Sequence, residues 1–217
     1  MDVGVLTVFA TAVAAWALVA AYRVIARRDD LDGRGFRAVV AGVLVLTALT
    51  AWSFEIGQYR RQALATEALG VLSEVKGVRA DCERYTEELF NLSQYQGYVY
   101  YDGSGVAHLK RNVCKDLWGY AHGGQANPTE GQILAVHIVA HETQHINGVR
   151  VEAVAECTAV QLNYLVAEKL GATPEQAREL QRRYFVEQYP RQSADYVSGE
   201  CREGGALDIF PDRAEFP

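Results

Sequence analysis

The run His141-Glu142-Thr143-Gln144-His145 holds the residues best suited to chemistry in this 217-residue chain. On a helix, two histidines four positions apart stand one turn above the other on a single face. Both imidazoles can then reach one zinc ion at roughly 2.0 to 2.1 Å. Glu142 lies beside that face, where a carboxylate can take a proton from metal-bound water instead of ligating the metal. A zinc hydrolase uses three protein ligands and keeps another position open. Glu152, the next acidic residue after His145, is the candidate third ligand.

The helices that must hold these groups carry their own start and stop signals. Asn127, Pro128 and Glu130 suit N-cap, N1 and N3 of a helix running to about Asn147. It stops at Gly148, whose missing Cβ suits the left-handed C-terminal position. A second helix begins near Val151 and ends at Gly171. Thr173, Pro174 and Gln176 repeat the start signal for a third, limited by Pro190, with Ala177, Leu180, Tyr184 and Phe185 on its inner face. Upstream, Tyr59 to Leu92 reads as one or two helices. The stretch Gly97 to Val113 reads as a hairpin, with strand formers Tyr98, Val99, Tyr100 and Tyr101, a turn at Asp102 to Gly105, and extended chain again from Val106. This hairpin is expected to be the only sheet.

With Glu152-Ala153-Val154-Ala155-Glu156-Cys157-Thr158-Ala159 following the histidine pair, the chain resembles the gluzincin metallopeptidases, whose second helix carries Glu-x-x-Ala-Asp/Asn/Glu-x-x-Ala. The resemblance implies a zinc cofactor, Glu152 as its carboxylate ligand, and Glu156 as the group that orients a ligand histidine. It implies peptide or protein substrates, laid by strand addition against the hairpin as an edge strand. Gluzincins also need a donor for the oxyanion of the tetrahedral intermediate, for which Tyr196 is the candidate. Helical periodicity accounts for Tyr184 and the neighbouring proline for Tyr189, and the tyrosines from Tyr98 to Tyr101 read as sheet packing.

The likeness covers about Tyr98 to Pro217. The local pattern, through Glu200-Cys201, is also similar to a group of membrane-anchored actinobacterial proteins. One departure is the interval from His145 to Glu152, shorter than in most gluzincins. Gly148 makes the sharp reversal feasible. In a metzincin the third ligand would fall on Val151, which has no donor atom.

His137 lies one turn before His141 but about 12 Å along the axis from His145, too far for the outer two to share one tetrahedral ion. It reads as a core histidine or a hydrogen-bond partner. His108 and His122 read as surface residues.

A net charge of -6 and the absence of a basic stripe argue against a nucleic-acid partner. Val3 to Ala26 is apolar and long enough to cross a membrane, and Ala38 to Phe54 sits at the lower edge of the spanning length. A cleaved signal peptide would want basic residues ahead of the apolar run, and none precede it. Arg27, Arg28, Arg34 and Arg37 place the intervening loop in the cytoplasm and both termini outside, although Arg60 and Arg61 pull weakly the other way.

Cys82, Cys114, Cys157 and Cys201 all follow the apolar region and suit two disulfides in an oxidising compartment. Three pairings are possible, of which Cys82 with Cys114 and Cys157 with Cys201 is the expectation.

The whole reads as a transmembrane helical hairpin over residues 1–57, then an extracytoplasmic domain over 58–217, mainly α with a small β-sheet (α+β) and compactly gluzincin-like. The expected activity is zinc-dependent peptide hydrolysis. The alternative is a catalytically inactive zinc-binding scaffold of a cell-envelope complex, in which Glu142 is dispensable.

Overall fold

The structure is a computed structural model and describes residues 5–26, 31–84, 87, 95–213 and 215–217. The chain divides into two compact units, Met1–Arg60 and Arg61–Pro217.

The first unit holds α1 (Val5–Ala26) and most of α2 (Leu31–Leu69). Its buried apolar positions, among the described residues, are small: Ala10 and Ala17 on α1, Ala41 and Ala48 on α2. Small side chains let helix backbones approach closely. Large apolar side chains, among them Phe9, Trp16, Leu46 and Phe54, face outward. The Thr7 hydroxyl donates to Glu55 at 2.8 Å, giving that carboxylate a partner among apolar neighbours.

By length and composition, one described helix, Ala38–Leu69, can cross a membrane; Thr7–Arg23 is a shorter apolar helix. Arg60 and Arg61 do not end α2, since arginine is a good helix former.

In the second unit a three-stranded sheet has the order β1-β3-β2, with β1 (Arg79–Cys82), β2 (Gly97–Val99) and β3 (Val106–Leu109). β2 and β3 pair antiparallel with Tyr98 opposite His108. β1 runs parallel to β3, Ala80 opposite Ala107, in a stretch read from sequence as helical. Arg-Ala-Asp-Cys has little strand propensity of its own. Its conformation comes from pairing with β3 and from burying Ala80 and Cys82 on one face. The extended chain also ends sooner than Val113, because α3 (Arg111–Gly119) starts directly after β3 and turns Val113, Cys114 and Leu117 inward.

A wide turn at Tyr120–Gly124 leads to α4 (Glu130–Ile146), then α5 (Glu152–Lys169) and α6 (Pro174–Arg183). The cap of α4 is Thr129, not Asn127: its side chain accepts from the Gln132 backbone while Gln132 reaches back, a capping box two residues later than the sequence signal. α6 is capped by Thr173 with Gln176 in the same way. After Arg183 the helix widens into a π-helical turn, Tyr184–Gln188.

α4 is the centre of this unit. Every residue from Ala135 to His145 is buried, as in a helix enclosed on all sides. Two disulfides brace the surroundings: Cys82–Cys114 joins β1 to α3, and Cys157–Cys201 joins α5 to the C-terminal tail.

Candidate metal centre

His141 and His145 project from α4 toward the first turn of α5, where Glu152 begins the helix. Their Nε2 atoms lie 2.9 Å apart, and Glu152 Oε2 is 3.2 Å from each. A tetrahedral ion with bonds of about 2.0 to 2.1 Å puts neighbouring donors roughly 3.3 Å apart, so the three atoms fit one ion. His141, His145 and Glu152 form a group that could hold a metal. Glu152 keeps 37 % of its side chain exposed, leaving the group open on one side.

The reversal between the two helices makes this convergence possible. Gly148 has φ +95° and returns the chain so that Val149 N–H donates to Gln144 O, closing the end of α4. The Val149 carbonyl then lies 2.7 Å from His145 Nδ1 and accepts its proton, which leaves Nε2 facing Glu152. Tyr101, from the turn after β2, adds a hydroxyl 2.9 Å from the same Nδ1. Val151, the metzincin ligand position, is exposed and contributes nothing.

Glu142 is 4 % exposed, and its Oε2 has no hydrogen-bond partner among the described residues. Burial, helped by the charges of Glu152 and Glu156 and opposed by His141, pushes its carboxyl up to about 7. β2 passes so close that a Cβ on Gly97 would sit 2.6 Å from Glu142 Oε1. His141 is lowered by burial, yet the contacts with Glu152 and Glu156 outweigh this and raise it to about 9. The same contact with His141 holds Glu152 below the usual carboxylate range.

Glu156 lies one turn beyond Glu152, buried against α4, with Oε2 2.9 Å from His141 Nδ1. Tyr196, from the tail, lies over the His141 ring with centroids 5.5 Å apart. Burial first, and then the carboxylates of Glu152, Glu142 and Glu156, push its hydroxyl up to about 12. A cleft of about 700 Å³ opens here, bounded by His141, Glu142, Leu134, Ile138, Gln192 and Tyr196.

Searches against protein-family models, curated proteins and solved structures return no match for this chain. What bears on its function is the geometry itself.

A second group, His137, His141 and Glu156, also brings donor atoms together. It is the weaker metal candidate, because its residues are almost wholly buried and Glu156 is already matched by His137 at 2.9 Å and by the Tyr184 hydroxyl at 2.5 Å. Helical periodicity assigns Tyr184 to packing. It does pack, stacked on His137 at 3.5 Å, but its hydroxyl serves the carboxylate behind the histidine pair. Tyr101, in a run of strand formers, likewise reads from sequence as sheet packing. No one-dimensional signal marks either hydroxyl, since both partners are remote in sequence.

His108 and His122 stay away from the cleft. His108 stacks on Tyr98 and pairs with Asp81 at 3.0 Å, beside a cavity of about 320 Å³ where Lys110 pairs with Glu83. His122 stacks on Trp118.

Proposed function

We propose that this chain is a zinc-dependent metallopeptidase of a compact gluzincin kind, anchored in the cell membrane with its second unit outside the cytoplasm. The observation that carries the reading is the meeting of His141 Nε2, His145 Nε2 and Glu152 Oε2 within 3.2 Å, with buried Glu142 beside them at the edge of a cleft. Two imidazoles and one carboxylate are a donor set of catalytic zinc. The ion, when bound, polarises a carbonyl and makes water acidic enough to serve as a nucleophile near neutral pH.

Glu142 supplies the base. Raised to about 7, its carboxylate can accept the proton of the attacking water and return it to the leaving amine. Tyr196, at about 12, keeps its proton at neutral pH and is the donor for the oxyanion. Gly97 keeps β2 close to Glu142, so that an extended peptide paired along β2 presents its backbone beside the base. The apolar helix Ala38–Leu69 and the two disulfides support a membrane-held, extracytoplasmic placement.

The test uses the full chain purified in detergent. It should contain stoichiometric zinc and cleave members of a peptide library, and Glu142→Gln should retain the zinc while cleavage falls by about 100-fold or more. A zinc-loaded Glu142→Gln as active as the parent would dismiss the hydrolase and leave the inactive scaffold.

A further inference from the structure

Glu156 is 2 % exposed, and a carboxylate so placed must be matched by donors. Its Oε2 lies 2.9 Å from His137 Nε2 and its Oε1 accepts from the Tyr184 hydroxyl; Oε2 is also 2.9 Å from His141 Nδ1, but out of line for a hydrogen bond, so that contact acts through charge. Each outer partner is constrained from behind. Asn163 Nδ2 is 3.3 Å from His137 Nδ1, and Gln192 Nε2 donates to the Tyr184 oxygen at 3.2 Å.

With a neutral His137 ring, the hydrogen bonds of His137 and Tyr184 take one set of directions. An amide nitrogen only donates, so Asn163 makes His137 Nδ1 the acceptor and leaves that ring's proton on Nε2, aimed at Glu156. The opposite turn of Asn163 would move the proton to Nδ1 and set a bare ring nitrogen against the carboxylate, which burial makes costly. Burial lowers the pKa of His137, so the ring stays neutral and a second proton does not scramble the order. Gln192 likewise sends the Tyr184 hydrogen to Glu156. The anionic Glu156 in turn favours a proton on His141 Nδ1, which frees Nε2, the atom that meets His145 and Glu152.

We propose that His137 is a positioning residue of the metal centre: with Asn163 behind it, it holds Glu156 where that carboxylate fixes the tautomer of His141 and presents Nε2 to the ion. His137 touches neither ion nor substrate in this role. The inference rests on the metal-binding part of the proposed function and not on peptide hydrolysis.

Nitrogen NMR of the zinc-loaded full chain with isotope-labelled histidine reads the tautomers directly. His137 should carry its proton on Nε2 and His141 on Nδ1, and the opposite form at either ring overturns the inference. In competition with a chromophoric chelator, His137→Leu should weaken zinc binding about 10- to 100-fold. His137→Gln, whose amide can donate near the Nε2 position, should restore most of the affinity. Folded His137→Leu with zinc affinity within about twofold of the parent overturns the proposal. Should that variant not fold, the tautomers of the unaltered protein still decide. A parent chain that binds zinc with these dependences but cleaves no peptide removes the hydrolase and leaves His137 in its role; one that binds no zinc removes both.

Discussion

Charge at the candidate metal centre is balanced between groups whose titration can be followed. In the metal-free protein His141 is raised to about 9 and Glu142 to about 7. A group whose folded value exceeds its unfolded one adds stability at low pH that is lost as pH rises through the folded value. The His141 contribution is therefore whole below about 6.5 and gone above about 9, and that of Glu142 declines from about 4.5 to about 7. Both act in the same direction, so the melting temperature of metal-free protein should fall between pH 5 and about 9 from these two groups. Glu142→Gln should raise it at pH 8 and leave it nearly unchanged at pH 4. Zinc needs neutral His141, so binding at pH 7.5 should release about one proton from that ring. Calorimetry in buffers of different ionisation enthalpy would count it, and a buffer-independent heat would contradict the assignment.

At the scale of elements, two features of α4 and β2 decide whether the site is formed. The capping box at Thr129 satisfies backbone donors at the start of the helix that carries both histidines. Thr129→Ala should cost about 1 kcal/mol, a fall of roughly 2 to 4 °C in melting temperature, with zinc content unchanged. Gly97 sets the spacing between β2 and α4. In Gly97→Ala the new methyl meets Glu142 Oε1 at 2.6 Å and Cγ and Cδ at 3.0 Å, so the carboxylate must swing aside. Misplacing a catalytic group by about 1 Å can cost on the order of 100-fold, so kcat should drop by about that factor while zinc stays bound. Unchanged kcat in this variant would show that Glu142 is not the base or that β2 yields.

For the molecule as a whole, the tail is the part most dependent on a covalent tie. Residues beyond Arg191 form turns, and Cys157–Cys201 fastens them to α5 across a sequence separation of 44. Gln161 helps, donating to the Leu207 carbonyl at 2.8 Å and accepting from Ile209 N–H at 2.9 Å. Replacing both cysteines by alanine should cost about 2 to 5 kcal/mol in chemical unfolding. It should also lower kcat more than zinc affinity, because the freed segment carries Tyr196 and not a metal donor. The first unit makes a separate prediction. If Ala38–Leu69 crosses a bilayer, alkaline carbonate should fail to extract the chain from membranes, and release into the supernatant would exclude a spanning helix.

Sequence alone placed what depends on short-range spacing. His141 and His145 share a face because helical periodicity puts them there, and Gly148 marks the reversal because other residues pay for positive φ. Thr173 and Gln176 announce α6 by a local exchange of hydrogen bonds. The same local logic misplaced the start of α4, where Asn127 and Pro128 offered a rival cap two residues early. Only the tertiary structure decided that Arg79–Cys82 is a strand, since its partner β3 lies across a long connection. Only there do Tyr184 and Tyr101 reach Glu156 and His145, and does Gly97 press on Glu142. Such contacts depend on how packed elements pass one another, and that arrangement is a property of the whole core rather than of any window of residues.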